Sequence, residues 1–289
     1  MIVDCHTHID IKADEVATSE HLVATEPVDV CVVLARTGGP TEEVNKRLGE
    51  YVGKHREKMA GFAVVDPQSD KVSFNNVRPL RDKLGLKGAV IYCAAGGFHP
   101  AHSRAMRFYE SAEELGWPVF FHNEEATRHP EAVLEYAQPY LLDEIAGRFV
   151  GLRIIIGSMG TPFLDQTLAM VAKHENVYAD LTIQPRRVWQ IYNTVVTANE
   201  HGVMDKLLFG SGFPLSGAGE CIERLLGLNM LMADTNLPTI PRANIRNVIE
   251  RDSLDVLGIR DKSLGVQEPT AEGAKERKAE KVGKEETAE

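Results

Sequence analysis

The stretch IVDCHTHI at residues 2–9 is an apolar run that ends in two histidines separated by one residue. Side chains alternate between the two faces of a β-strand, so this spacing places His6 and His8 on the same face. Near-continuous apolar runs are typical of parallel strands that are covered on both faces. The stretch therefore predicts a buried strand that presents two imidazoles at its C-terminal end.

Seven further apolar runs follow along the chain. They are VDVCVVLA at 28–35, MAGFAVVD at 59–66, LKGAVIYC at 86–93, PVFFHNE at 118–124, LRIIIGS at 152–158, VYADLT at 177–182 and KLLFGSG at 206–212. The stretches between these runs favour helices. Eight strands that alternate with helices predict a (β/α)₈ TIM barrel, with a doubly wound α/β sheet as the second choice.

Four of the intervening stretches illustrate the helical pattern. Residues 104–116 carry apolar side chains near the 3.6-residue spacing of a helix and stop at a glycine. Residues 131–149, 165–174 and 188–202 predict further helices, and Pro139 must kink or split the first of these three.

Composition limits the classes of function. The chain has 289 residues, is 43% hydrophobic and 26% charged, and carries a net charge of −10. The acidic balance argues against a nucleic-acid or anionic-membrane partner, and the sequence has no 18-residue apolar run. Four cysteines without a C-x-x-C pair, and a start without the basic residues of a signal peptide, predict a reduced, cytoplasmic protein.

The composition changes near residue 260. Residues 261–289 are charged, mixed in sign and nearly free of large apolar side chains. Such a segment cannot bury enough surface to offset the entropy of ordering. We therefore expect one barrel domain over residues 1–260 and a disordered charged tail over 261–289.

The active site of a (β/α)₈ barrel lies at the C-terminal ends of the strands. His6 and His8 stand at the end of the first run, and His122 ends the fifth. Three histidines with a position left open for water form a plausible Zn²⁺ site, and water on such an ion can act as a nucleophile near neutral pH. Ordinary hydrogen-bonded core histidines are the alternative interpretation.

Three segments together resemble the amidohydrolase superfamily: IVDCHTHI at 2–9, PVFFHNE at 118–124 and LLFGSGFPL at 207–215. The branch they are most similar to is the amidohydrolase 2 group, which contains aminocarboxymuconate semialdehyde decarboxylase and its hydrolase relatives. Residues 140–182 run like the strand-6 to strand-7 segment of that group, and the resemblance covers about residues 1–258. It implies a hydrolase or carboxy-lyase that acts on a small organic acid, lactone or amide, with His6, His8 and His122 as metal ligands.

The chain departs from the family pattern at two strand ends. Members commonly carry a histidine at the end of strand 6, where this chain has Ser158, and an aspartate in GSDFP after strand 8, where it has Gly212. Glycine can neither bind a metal nor accept a proton, and serine is at best a neutral donor or a weak ligand. We therefore expect at most one divalent ion, Zn²⁺ first and Mn²⁺ second, or none, since some relatives act on lactones without a metal.

Other side chains could supply the missing chemistry. Alternation would place Glu124 on the same face as His122 if the fifth strand extends that far, which makes Glu124 the preferred stand-in base. Asp180 on strand 7 matches an acidic position often seen in the family and could orient a neighbour, and Ser158 could donate a hydrogen bond. Rim charges and packing partners are the alternative interpretation of these residues.

Substrate recognition is predicted at two loops. The segment YCAAGGFHPAHSR at 92–104 carries His99 and His102, and TIQPRRV at 182–188 carries Arg186 and Arg187. Arginine and histidine at barrel loops can bind carboxylates. These loops predict a small-molecule substrate, and family habit adds the expectation of a homodimer.

Two further interpretations compete with an active hydrolase or decarboxylase. Ser158 and Gly212 are compatible with a barrel that has lost catalysis and binds a ligand or another protein. A deoxyribonuclease of the TatD type shares the H-x-H motif, but it would need a glutamate at the end of strand 4, where VIYC at 90–93 offers none.

Overall fold

The computed structural model describes residues 1–9, 15–36, 38–127, 129–261 and 264–265, without the side chains of Glu124 and Glu125. Of the tail predicted at 261–289, residues 262–263 and 266–289 lie outside the described residues. None of the helices in the described part of the chain is long and apolar enough to cross a membrane.

Eight parallel strands form one sheet in which each strand pairs with its neighbours in chain order. The strands are β1 Val3–Ile9, β2 Val30–Ala35, β3 Met59–Val64, β4 Gly88–Ile91, β5 Val119–Phe121, β6 Ile154–Ile156, β7 Val177–Thr182 and β8 Leu207–Gly210. The ring is completed by a parallel bridge between Thr7 in β1 and Phe213, just after β8. The predicted TIM barrel is thereby confirmed.

Helices cover the outside of the sheet. They are α1 Glu15–Ala24, α2 Thr41–Lys54, α3 Phe74–Asp82, α4 Cys93–Gly96, α5 Ser103–Leu115, α6 Asp143–Arg148, α7 Leu164–Lys173, α8 Val188–Glu200, α9 Ala218–Leu226, α10 Arg242–Glu250 and α11 Ser253–Leu257. The predictions for 104–116, 165–174 and 188–202 agree with α5, α7 and α8 to within two residues at each end.

The predicted helix at 131–149 is wrong over its first half. Two 3₁₀ turns, Leu134–Ala137 and Pro139–Leu142, precede the short helix α6. Proline disfavours helical backbone at the residue before it, and Gln138 is indeed extended, with φ −70° and ψ 122°. Pro139 therefore splits the segment instead of merely kinking it.

The strands supply the core. Every strand residue is buried except Tyr178 and Thr182, which are half-buried. Fully covering a side chain such as Phe62 or Phe120 contributes roughly 1.5–3 kcal/mol to the stability of the fold. The four cysteines are buried free thiols, and burial raises the pKa of Cys31 to about 12. This rigid ring fixes the positions of the side chains at its C-terminal mouth.

Candidate metal centre at the barrel mouth

Three buried histidines meet inside the mouth of the barrel. β1 carries His6 and His8, and His122 follows the last residue of β5. The Nε2 atom of His8 lies 2.9 Å from Nε2 of His6 and 3.0 Å from Nε2 of His122. The structure thus brings together the three residues that the sequence predicts as metal ligands.

The imidazoles of His6 and His8 are held from behind. Nδ1 of His6 donates a hydrogen bond to Oδ2 of Asp180 over 2.6 Å. Nδ1 of His8 donates to the carbonyl oxygen of Leu34 over 3.0 Å, because a carbonyl can only accept. A neutral imidazole carries one proton, so when both rings are neutral their Nε2 atoms present lone pairs to each other.

These protonation states suit a divalent metal ion. Two lone pairs 2.9 Å apart repel each other unless a cation lies between them. Nitrogen ligands around Zn²⁺ at its usual bond length would stand about 3.3 Å apart. Burial, followed by the nearby His122 and His6, holds the pKa of His8 well below its usual range, so the ring stays in the neutral form that binds metals. The residues present therefore fit one ion.

Asp180 lies behind His6. Its Oδ2 atom accepts hydrogen bonds from Nδ1 of His6, from the Thr182 hydroxyl at 2.5 Å and from the Ser158 backbone N–H at 3.0 Å. Its Oδ1 atom packs against Gly210, where a Cβ atom would lie only 2.1 Å away. Asp180 therefore orients His6, and glycine at 210 makes room for it.

Ser158 follows β6 in an unusual backbone conformation. Ser158 and the next residue, Met159, have φ angles of +50° and +52°, in the left-handed region that side-chain-bearing residues rarely adopt. The turn aims the Ser158 N–H at Asp180, and its hydroxyl donates to Oγ1 of Thr182 over 3.2 Å. A strained turn thus ties β6 to β7 beside the histidines.

Gly212 occupies the position where the family pattern has aspartate. Its φ is +68°, and a Cβ atom there would lie 2.6 Å from Cγ2 of Thr182. The Gly212 N–H donates to the carbonyl oxygen of His6 over 2.8 Å. The Thr182 methyl group therefore fills the space in which a side chain at 212 would begin.

Glu124 does not continue the alternation of β5. The strand ends at Phe121, and Glu124 begins a 3₁₀ turn, Glu124–Thr127. The condition under which Glu124 would share the face of His122 is therefore not met. Its side chain lies outside the described residues.

The two arginines predicted to bind substrate differ in their position relative to a cavity. Arg187 lines a cavity of about 150 Å³ together with Ser158, Thr182 and Gln184, and none of the three histidines is among the residues that line it. Arg186 is exposed and is not among the residues that line this cavity.

The two loop histidines bond within their own loop. Nδ1 of His99 accepts from the Ala101 N–H over 3.0 Å, and Nδ1 of His102 accepts from the Arg104 N–H at the start of α5. The described hydrogen bonds of both rings are thus local and do not reach the three histidines.

Sequence reasoning missed two residues of the site. Thr182 bonds to Asp180 and to Ser158, and alternation from Asp180 along β7 could have indicated it. Tyr92, after β4, packs its ring 4.9 Å from that of His122 and lines a second cavity, of about 230 Å³, with Val64, Thr41 and Phe98. No local pattern singles out Tyr92.

Comparison with known proteins gives one family and several structures. The family model described as "Amidohydrolase" matches residues 3–230. No curated protein sequence matches the chain.

Solved structures with similar folds include 2,6-dihydroxybenzoate decarboxylase in complex with 2,6-dihydroxybenzoate, at a TM-score of 0.64 and 14% identity over 89% of this chain and 99% of that one. A protein described as a probable 2-pyrone-4,6-dicarboxylic acid hydrolase from Acinetobacter baumannii, with citric acid bound, has a TM-score of 0.63 and 14% identity, over 89% of this chain and 99% of that one. The 5-carboxyvanillate decarboxylase of Novosphingobium aromaticivorans, with bound manganese, has a TM-score of 0.64 and 11% identity, over 89% of this chain and 97% of that one. At these identities the likeness establishes the fold.

Proposed function

The chain belongs to the amidohydrolase family, and from this premise we propose that it is an enzyme that hydrolyses or decarboxylates a small organic acid, lactone or amide at one metal ion. The observation that carries the proposal is the convergence of three buried Nε2 atoms, two of them fixed as lone-pair donors by hydrogen bonds from behind.

His6, His8 and His122 would hold the ion. In the part of the chain that the structure describes, the ligand atoms of this cluster are all histidine nitrogens. Imidazole suits Zn²⁺, whereas Mn²⁺ prefers carboxylate and water oxygens, so we propose Zn²⁺ first and Mn²⁺ second. Manganese is the ion bound in the Novosphingobium decarboxylase structure. A divalent ion held here would supply Lewis-acid polarisation of a substrate oxygen.

The surrounding residues would orient the substrate and move protons. Asp180 fixes the ring of His6. The Ser158 hydroxyl lines the cavity, and its single proton would have to turn away from Thr182 in order to donate to a substrate oxygen. Arg187 brings positive charge to the same cavity and can form two parallel hydrogen bonds with a carboxylate. The substrate side of the site is therefore suited to an anionic molecule.

Proton transfer needs a group that β8 does not provide. Gly212 has no side chain, and Asp180 has its Oδ2 atom bonded to three donors and its Oδ1 atom buried. Glu124, two residues after His122 in the chain, stays our candidate for the general base, although it lies in a 3₁₀ turn and does not continue the face of the strand that carries His122. Arg186 adds positive charge near Arg187, and we assign no substrate contact to His99 or His102.

Metal content tests the proposal. Elemental mass spectrometry of the purified protein, after loading with Zn²⁺ or Mn²⁺ and desalting, should find about one ion per chain. His122→Ala should reduce this to background while circular dichroism shows an intact fold. His129→Ala removes an exposed histidine and is the matched control. The metal site is wrong if the wild-type protein retains no ion or if His122→Ala retains as much as the control.

A substrate screen then separates the two reaction types. Lactones, amides and aromatic carboxylates should be offered to the loaded protein, with acid release and carbon dioxide release measured side by side. Turnover lost in both His122→Ala and Glu124→Gln would support the assigned roles. Turnover unchanged in Glu124→Gln would remove Glu124 from the reaction.

A further inference from the structure

Helix α1 buries a histidine where a helix usually buries apolar side chains. His21 is the only buried residue among the ten of α1. Val16 and Val23 of the same helix are 63% and 70% exposed. Because burying a polar ring while leaving two valines in water is unfavourable, the hydrogen bonds of His21 must compensate for it.

His21 is the centre of a chain of three hydrogen bonds. The Thr7 hydroxyl donates to the carbonyl oxygen of Val32 over 2.9 Å, and its oxygen lies 3.0 Å from Nε2 of His21. Nδ1 of His21 lies 2.8 Å from the hydroxyl of Tyr51. Since the Thr7 proton goes to Val32, Nε2 of His21 donates to Thr7. Burial lowers the pKa of His21 and so favours the neutral ring, in which Nδ1 accepts from the Tyr51 hydroxyl.

The chain ends on the residue between two metal ligands. Thr7 lies between His6 and His8 on β1, with its side chain on the opposite face. Thr7 also pairs with Phe213, whose carbonyl oxygen accepts from the His8 N–H over 2.9 Å. The ring of Phe213 lies 5.2 Å from that of His21. His21 therefore contacts both residues of the bridge between β1 and the segment after β8.

The strand needs such a support at this point. The pairing of β1 with β2 shifts register between Asp4 and Thr7, the segment that contains His6. A regular ladder would fix the backbone positions by itself, but an irregular one leaves them dependent on side-chain bonds. The bond from His21 holds the strand from outside the barrel immediately after the irregularity.

We propose that His21 is a positioning residue for the metal centre, which fixes the relative placement of His6 and His8 by holding Thr7. The inference rests on the proposed function, because it concerns the affinity of the same metal site. Metal affinity depends on how well the ligands are held in place before the ion arrives.

The test is the dissociation constant for Zn²⁺, measured by competition with a chromophoric chelator, together with the absorption spectrum of the Co²⁺-loaded protein. Thr7→Val removes the hydroxyl at nearly constant volume, and His21→Leu removes the ring. Both should weaken Zn²⁺ binding about tenfold and change the Co²⁺ spectrum. Thr7→Ser keeps the hydroxyl and should restore the wild-type constant and spectrum.

Two other variants complete the test. Tyr51→Phe removes only the bond that fixes the His21 tautomer, and we expect a two- to threefold weaker affinity. Ser111→Ala removes a buried hydroxyl that donates to the Val72 carbonyl, away from β1, and should leave the constant within twofold of the wild type. Thermal melts of the metal-free proteins separate lost stability from lost affinity.

The outcomes are distinguishable. If Thr7→Val folds and binds Zn²⁺ as the wild type does, with an unchanged Co²⁺ spectrum, His21 has only a structural role and the inference is overturned. If His21→Leu does not fold, Thr7→Val and Tyr51→Phe decide the question. If the wild-type protein binds no metal, the proposed function fails and the inference falls with it.

Discussion

The two sides of the barrel mouth differ in what they offer a metal ion. What we call the ligand side is the pair of strand ends at β1 and β5, which face each other across the barrel and carry the three histidines; His6 and His8 are fixed through their Nδ1 atoms. The side formed by β6 and β8 carries Ser158 and Gly212, and the carboxylate between them, Asp180, points its hydrogen-bonded oxygen at His6. The ligand side has a cluster that could hold an ion, and the other side, the supporting side, holds His6 in place.

The absence of a carboxylate after β8 is part of the packing around Thr182. At Gly212 a side chain would meet both a left-handed backbone and the methyl group of Thr182. Thr182 in turn donates to Asp180, which bonds to His6. The supporting side is therefore one connected unit, and single changes within it should affect the histidines.

Loss of the shared carboxylate should have the largest effect. Asp180→Ala leaves the His6 Nδ1–H, the Ser158 N–H and the Thr182 hydroxyl without their common acceptor in a buried place. We expect Zn²⁺ affinity to fall about 10- to 100-fold, and the free energy of unfolding of the metal-free protein to fall by about 3 kcal/mol.

The measurements are chelator competition and urea unfolding. Asp143→Ala, which removes a half-exposed carboxylate near Lys173 and His174, is the matched control. Wild-type affinity in Asp180→Ala would show that the two sides of the mouth are independent.

A methyl group at Gly212 should have the next largest effect. Gly212→Ala places a Cβ atom against Thr182 at φ +68°, whereas Gly202→Ala has the nearly identical φ of +69° and no atom within 4 Å. Both variants suffer the left-handed strain of about 1–2 kcal/mol. We expect urea unfolding to show that Gly212→Ala, and not Gly202→Ala, loses about a further 2 kcal/mol in the free energy of unfolding.

A second variant sharpens this result. Thr182→Ser removes the obstructing methyl group and keeps the hydroxyl that bonds to Asp180. In the Thr182→Ser protein, the loss of unfolding free energy caused by Gly212→Ala should exceed that caused by Gly202→Ala by only a few tenths of a kcal/mol. An undiminished difference would mean that Thr182 is not what excludes a side chain at 212.

The cavity on the supporting side should distinguish two neighbouring arginines. Arg187 lines the cavity and Arg186 does not. With benzoate as a simple carboxylate probe, calorimetry should show about tenfold weaker binding to Arg187→Ala, the loss of one charge-assisted contact. Arg186→Ala should stay within twofold of the wild type. Equal losses would mean that the two residues contribute only general positive charge.

Much of this architecture follows from local sequence patterns. Eight apolar runs predict the eight strands, and the alternation of side chains along β1 is enough to place His6 and His8 on one face. The position of His122 follows from the rule that the strand ends of a barrel share one mouth. These predictions succeed because each depends on a few consecutive residues.

The rest depends on contacts between distant residues or on where an element stops. The run PVFFHNE does not reveal that β5 ends at Phe121, so alternation along this run does not extend to Glu124. Nothing in the sequence reports that Thr182 lies against Gly212, or that the buried residue of α1 is His21 instead of a valine. Such features are decided by the packing of the whole barrel.

The smallest expected effect is on the pH dependence of stability, through His21, which supports β1. Burial, followed by the charges of His55 and Lys58, lowers the pKa of His21 to about 4 from a usual value of 6.5. Between these two values the unfolded chain binds a proton at this residue and the folded protein does not, so stability rises with pH across the window and is lost as the pH falls.

Lowering the pH from 7.5 to 5.5 should therefore cost the wild-type protein about 1 kcal/mol through His21. His21→Gln, which cannot titrate, should lose about 1 kcal/mol less unfolding free energy, measured with urea, over the same interval, because Asp4 and His8, whose pKa values burial shifts, are present in both proteins and their contributions cancel. The same loss in both proteins would mean that His21 is not held neutral by its surroundings, and the chain of hydrogen bonds from Tyr51 to Thr7 would then have to run with different proton positions.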